Sequence, residues 1–134
     1  GVEWRLLSHE QRWAEAVTAA ESQLAATPDD PEPWIHRSFA LHELGRTREA
    51  LDLLQPAAEC FPKETTVPYN LACYTCQLGD LPGALQWFAR ALALGESPVE
   101  KVLRLRAALQ DADLQPLWPE FRQLVETLQA DPGA

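Results

Sequence analysis

The sequence repeats itself after 34 residues, and this period constrains the fold more than any other feature. A shift of 34 positions aligns Gly45 with Gly79 and Ala50 with Ala84, and the opposite shift aligns Ala16 with Ala50. A repeated unit this short cannot bury its apolar side chains alone, so each unit must pack against the next one. We therefore expect a row of similar, short supersecondary units.

The units are predicted to be helical. Alanine and leucine recur at helical spacing, whereas valine and isoleucine are few and no two-residue alternation of apolar and polar residues appears. Turn-forming residues at Pro28, Gly45, Pro62 and Gly79 leave segments of about 12 to 16 residues, which is an ordinary helix length. The two glycines suit the left-handed conformation that ends a helix and reverses the chain. The sequence thus predicts an all-α fold of about seven or eight short helices.

Matching places in two successive units carry a recurring pattern of aromatic, small and glycine residues. In the first unit these are Trp34, Ser38, Leu41, Gly45, Ala50, Leu54, Ala57 and Pro62, and in the second they are Ala72, Gly79, Ala84, Phe88 and Ala91. This pattern resembles the tetratricopeptide repeat (TPR) family, with Pro68 in place of an early tryptophan and Leu41 and Thr75 in place of the usual aromatic. The resemblance implies antiparallel helix hairpins that stack into a short right-handed superhelical array.

The chain is expected to form one domain, 1–134, built from four parts. These are an N-terminal partial repeat at 1–30, repeats at 31–64 and 65–98, and a C-terminal capping hairpin at 99–134. Asp113 is predicted to cap the last helix, whose apolar stripe runs from Leu114 to Leu128. Large side chains predicted to pack between the helices are Trp34, Leu41, Leu44, Leu51, Leu54, Leu71, Leu78, Leu85, Phe88 and Leu92.

The resemblance also implies a function. In this family the first helix of each pair lines a concave groove that can hold a segment of another protein. The residues that would line this groove here are Ile35, His36, Phe39, His42, Tyr69, Asn70, Cys73, Gln77, Leu103 and Arg104. One subclass of the family grips a C-terminal carboxylate, and Asn70 and Arg104 match two of its positions. Because Ile35, Phe39 and Glu100 hold the other positions, that clamp is incomplete.

The charge of the chain limits its partners. Lysine and arginine number 11 against 20 aspartate and glutamate, which gives a net charge of −9. Such a surface repels phosphate groups, so neither nucleic acid nor an anionic membrane is expected as a partner. We predict a basic or apolar protein or peptide, and a chain that is a monomer or a weak homo-oligomer. Two alternatives remain open: a structural unit of a larger protein or oligomer that packs through its end hairpins, or a small chaperone for a secreted subunit.

The cysteines raise two further hypotheses. Cys73 and Cys76 are spaced as zinc ligands or as a redox pair, and a zinc site would also need His42 and either His36 or His9. Packing of small buried thiols explains both cysteines more simply, so no metal and no cofactor is predicted.

The sequence also indicates the cellular compartment and the absence of catalytic motifs. Three cysteines without disulfide-scaffold spacing, and no apolar run of about 20 residues, predict a cytoplasmic location. No phosphate-binding glycine loop or nucleophile motif appears, so no enzymatic activity is predicted.

Overall fold

The computed structural model describes residues 2–130, which form helices joined by turns and short irregular segments. The α-helices of this part of the chain are α1 (Val2–His9), α2 (Trp13–Ala26), α3 (Pro31–Glu43), α4 (Thr47–Leu54), α5 (Ala57–Cys60), α6 (Thr66–Gln77), α7 (Leu81–Ala93), α8 (Pro98–Ala108) and α9 (Trp118–Ala130). A 3₁₀ helix, Ala112–Leu117, leads directly into α9. Pro56 separates the short α5 from α4, because proline has no amide hydrogen to continue the helical ladder. If α4 and α5 are taken as one interrupted helix, the described residues contain eight, which confirms the predicted all-α fold.

Consecutive helices pack against each other in pairs. Contacts join α1 to α2, α3 to α4, α6 to α7 and α8 to α9, and the pairs are linked by further contacts between α2 and α3 and between α4 and α6. The turns after α3 and α6 depend on Gly45 and Gly79, whose φ angles are +80° and +90°. No atom lies within 4 Å of a Cβ built at either glycine, so the backbone conformation alone selects glycine there.

Side-chain caps fix where several helices begin. The side chain of Asp30 accepts a hydrogen bond from the backbone N–H of Glu32 at 3.0 Å, and that of Asp80 accepts one from Gly83 at 3.0 Å. Ser97 does the same for the N–H of Glu100 at 3.2 Å. Each cap satisfies a backbone donor that has no partner inside its helix, so the helix starts are defined locally by the sequence.

The core forms where the helix pairs meet. The repeat positions Ala50, Leu54, Ala84 and Phe88 are buried, as their places in the repeat predicted. The prediction was wrong for two leucines: Leu44 and Leu78 are 38% and 37% exposed. Both stand at the C-terminal cap of a helix, immediately before a turn glycine, where the chain leaves the packed face.

The 3₁₀ helix places the C-terminal pair of helices. It packs on α6, and its Leu114 and Leu117 are buried in the main core with exposures of 0% and 1%. Its cap is Asp111 rather than the predicted Asp113, because the Asp111 carboxylate accepts a hydrogen bond from the Asp113 backbone N–H at 3.1 Å. The Asp113 side chain is therefore free to point toward another part of the array.

Within residues 2–130, no helix combines the length and the apolar composition that crossing a lipid bilayer requires.

Candidate functional site

The segment 111–113 lies across the C-terminal ends of α3 and α6, on the face that carries the predicted binding residues. Asp113 Oδ2 lies 3.0 Å from His42 Nε2, and Gln77 Nε2 donates to the Asp113 backbone carbonyl at 2.9 Å. The other ring nitrogen of His42 lies 2.9 Å from Thr47 Oγ1. This end of the predicted groove is therefore occupied by the chain itself, which ties the fourth helix pair to the first repeat.

Asp111 extends the same network along α6. Tyr69 donates its hydroxyl to Asp111 Oδ2 at 2.9 Å, and the Cys73 thiol donates to the same oxygen at 3.8 Å. Burial raises the pKa of Tyr69, and the hydrogen bond to Asp111 raises it further. Burial likewise raises the pKa of Cys73, helped by the nearby charge of Asp111. Within the described part of the chain, Asp111 forms no ion pair with a lysine or arginine, so its charge is met here by neutral donors.

The N-terminal half of α3 is covered by aromatic side chains from the first helix pair. The ring of His36 stacks on Trp4 with centroids 3.8 Å apart, and burial lowers the pKa of this histidine. Phe39 meets Trp13 edge to face at 5.5 Å and Trp4 at 6.4 Å, and it remains 36% exposed. Ile35 packs against the core. These predicted binding residues therefore contribute mainly to the contact between repeats.

An open pocket of about 220 Å³ lies between α6, α7 and α8, and we refer to it as the α6–α8 pocket. Its lining is mostly apolar and consists of Thr65, Thr66, Tyr69, Phe88, Ala91, Leu92, Arg104 and Ala107. Arg104 donates from Nη1 to the backbone carbonyl of Ala91 at 2.9 Å, which holds its guanidinium at the edge of the pocket. Tyr69 belongs to both sites, since its ring lines the pocket and its hydroxyl binds Asp111.

The predicted binding residues thus separate into several environments. His42, Tyr69, Cys73 and Gln77 surround the segment 111–113, whereas Arg104 shares the α6–α8 pocket with Tyr69.

Two of the predicted residues lie apart from these groups. Asn70 is half-buried on α6. Leu103 lies on another face of α8, beside α9, and is 61% exposed.

Sequence reasoning missed Asp111 and Asp113. The Asp-x-Asp sequence before Leu114 was a signal for them, although only Asp113 was interpreted there, as a helix cap.

The cysteines are thiols in this environment. Cys73 and Cys76 are buried, and burial raises the pKa of both. Both nitrogens of His42, the first histidine that a zinc site would need, already lie within hydrogen-bond distance of other side chains. In the described range 2–130, no group of three or more histidine, cysteine or acidic side chains is arranged to hold a metal ion. Nothing in the geometry therefore favours the zinc or redox hypotheses over packing.

Helix pairs at a regular period, with turn glycines at matching positions, define a helical-repeat protein. The family model for the tetratricopeptide repeat matches residues 69–97, which confirms the predicted repeat over that part of the chain.

A solved structure has a similar fold. That structure is PcrH in complex with the chaperone binding region of PopD, and it matches with a TM-score of 0.66. The match covers 96% of this chain and 87% of that chain at 20% sequence identity. The likeness at this identity concerns the fold.

Protein FlbA of Caulobacter vibrioides is 33% identical over 69 residues, which is 52% of this chain. That match spans only 12% of the length of FlbA.

Proposed function

We propose that this chain is a protein-interaction module, without catalytic activity, that binds a segment of a partner protein at the α6–α8 pocket. The observation that carries the proposal is that this pocket is open and apolar, while segment 111–113 contacts His42 and the first helix pair contacts His36 on the same predicted face. A volume of about 220 Å³ suits one large aliphatic or aromatic side chain rather than a whole small-molecule ligand. PcrH, which has a similar fold, was solved with a segment of another protein, and this supports the proposal.

Acidic charge beyond the pocket favours a basic residue in the partner, whereas the charged residue of the lining itself is the cationic Arg104. Asp111 is hydrogen-bonded to the hydroxyl of Tyr69, whose ring lines the pocket, and its carboxylate accepts hydrogen bonds only from neutral groups within the described residues. A cationic side chain next to the anchor would find an uncompensated negative charge there, on a chain whose net charge is −9. We therefore propose a partner segment that pairs one large apolar residue with a lysine or arginine.

A random peptide library displayed on phage tests this proposal directly. Selection on the immobilised chain should enrich peptides with one large apolar residue near a basic one, and their affinity should fall as salt is raised. Ala107→Phe places a ring in the pocket from an exposed position on α8 and should abolish binding. Ala14→Phe, an equal change at an exposed alanine of α2, should leave binding unchanged.

The binding results show which part of the proposal is wrong, the site or the charge of the partner. If the enriched peptides bind the Ala107→Phe variant as well as the original chain, the pocket is not the site. If the peptides bind at the pocket but show no salt dependence, the partner is apolar rather than basic. The cytoplasmic location predicted from the cysteines remains a prediction, which cell fractionation would test.

A further inference from the structure

A second groove lies between the second helices of the two central repeats, α4 and α7, with α6 beneath it. It has a volume of about 400 Å³, and we call it the α4–α7 groove. Its walls are formed by Leu51 and Gln55 on one side and by Gln86, Trp87 and Arg90 on the other. None of its lining residues belongs to the α6–α8 pocket or to the predicted binding residues, so it is a separate surface of the molecule.

The floor of this groove holds a buried hydroxyl group that has no partner. Thr75 of α6 lines the groove and is 5% exposed, and its Oγ1 forms no hydrogen bond within the described residues. Buried polar side chains are almost always paired, so an unpaired one beside a cavity points to a bound group that supplies the missing partner. Threonine in a helix adopts two rotamers, so rotation about the Cα–Cβ bond can bring the hydroxyl of Thr75 to a ligand.

Opposite charges stand at the two ends of the groove. Asp80 caps α7 through Oδ1, and within the described residues its carboxylate pairs with no lysine or arginine. Arg90 is ten residues further on, which at about 1.5 Å per residue places it about 15 Å away along the helix.

Arg90 is available to a ligand at its end of the groove. Its guanidinium carbon lies 4.9 Å from the centroid of the Trp87 ring, so the side chain lies along the wall. Its ion pair with Glu59 is long, at 3.7 Å between Nη1 and Oε1, and both side chains are largely exposed. Because an exposed pair of this kind contributes little to stability, a carboxylate of a ligand can take the place of Glu59.

An extended peptide fits this arrangement better than a compact small molecule does. The two charges must be met across about 15 Å, and an extended chain advances about 3.3 Å per residue, so four steps cover about 13 Å and the side chains span the rest. Residues i, i+2 and i+4 of such a chain point to the same side, which directs the middle side chain toward the floor. The exposed amides of Gln55 and Gln86 each offer a donor and an acceptor to the peptide main chain.

We propose that the α4–α7 groove binds an extended segment of a partner protein that carries a basic and an acidic residue four positions apart. The basic side chain pairs with Asp80, the acidic one pairs with Arg90, and a hydrogen-bonding side chain midway between them bonds to the hydroxyl of Thr75. The two charged residues of the segment cancel, so the net charge of −9 on this chain does not oppose its binding. The proposal does not depend on the proposed function, because the two sites share no residue.

Selection of a displayed peptide library on the full chain carrying Ala107→Phe tests the proposal, because this variant has the α6–α8 pocket closed. The enriched peptides should carry a basic and an acidic residue four positions apart, in one fixed order, with serine, threonine, asparagine or glutamine midway between them. Fluorescence anisotropy of the labelled peptides then gives their affinities for the original chain and for further variants. Far-ultraviolet circular dichroism would establish that every variant keeps its helices.

Substitutions at the two ends of the groove have matched controls. Asp80→Asn removes the charge and keeps a good helix cap, and it should weaken peptide binding about two- to fivefold, as should Arg90→Gln. Asp29→Asn and Arg106→Gln are the same changes at exposed positions outside the groove, and they should leave the affinity unchanged. For a peptide whose basic residue is replaced by glutamine, Asp80→Asn should have no further effect, since the pair is already broken.

Thr75→Val tests the floor of the groove. It removes the hydroxyl with little change of shape and should weaken peptide binding by a similar factor. The proposal is overturned if the enriched peptides lack the paired charges, or if the Asp80 and Arg90 variants bind them as tightly as the two controls do. It is also overturned if Thr75→Val binds them as tightly as the original chain.

Discussion

The buried hydrogen bond between Ser38 and Tyr74 connects α3 to α6, and the two ends of this bond should differ in their effect on stability. The two oxygens are 3.2 Å apart, and exposures are 0% for Ser38 and 2% for Tyr74. Ser38 donates its only hydroxyl hydrogen to the carbonyl of Ile35 at 3.0 Å. Tyr74 must therefore be the donor in the bond between the two side chains, and Ser38 the acceptor.

This assignment predicts unequal costs for the two single substitutions. Tyr74→Phe removes the donor and leaves Ser38 still bonded to Ile35, so the free energy of unfolding should fall by about 0.5–1.5 kcal/mol. Ser38→Ala leaves the Tyr74 hydroxyl buried with no acceptor and should cost about 1–3 kcal/mol. The double variant has neither the Ser38 nor the Tyr74 hydroxyl, so neither can be left without its partner. The loss in its free energy of unfolding should therefore be clearly below the sum of the two single losses.

Urea unfolding at 25 °C, followed by tryptophan fluorescence and by circular dichroism, measures all four free energies. Coincident transitions by the two methods would justify a two-state treatment. If Tyr74→Phe proves more costly than Ser38→Ala, the donor assignment is refuted. If the two costs simply add, the two side chains do not form a coupled pair across the repeats.

Three further predictions concern the turns, the end of α8 and the response to alkali. Gly79→Ala should lower the free energy of unfolding by about 1–2 kcal/mol, measured with urea, because φ is +90° and no contact is changed. Trp118→Phe should cost about 1 kcal/mol in the same assay, since the indole N–H donates to the Ala108 carbonyl at 2.9 Å, and an unchanged midpoint would contradict this. The pKa values of Tyr69 and Cys73 are raised above their ordinary values of 10.0 and 9.0, so the unfolded chain loses these protons first. Stability should therefore be retained below pH 9 and decline as pH rises above it, and a melting temperature constant up to pH 11 would disprove this.

Local sequence signals predicted the repeats well. Gly45 and Gly79 are required by the backbone at their own positions, and Ala50 and Ala84 by the close approach of neighbouring helices. Such requirements recur at each period and can be recognised from one sequence. The exposed Leu44 shows the limit of this reasoning, because the helical spacing does not show where the chain leaves the packed face.

The candidate site was predicted less completely. The contact between His42 and Asp113 joins residues 71 positions apart, and no local pattern specifies it. The resemblance placed His42 and Gln77 on an open groove, since a regular array has no segment that crosses this face. The crossing arises because the chain forms a 3₁₀ helix after Asp111, which directs Asp113 back across α6.

The bond from Asp113 to His42 also bears on how this array can change in length. In a regular solenoid each unit contacts only its neighbours, so units can be added or removed with little effect on the others. An extra unit inserted between the two central repeats would move the last hairpin away from α3. The contact between His42 and Asp113 would then be lost. The number of repeats between α3 and the last hairpin is thus set by this contact, and inserting a unit there would require a new partner for both His42 and Asp113.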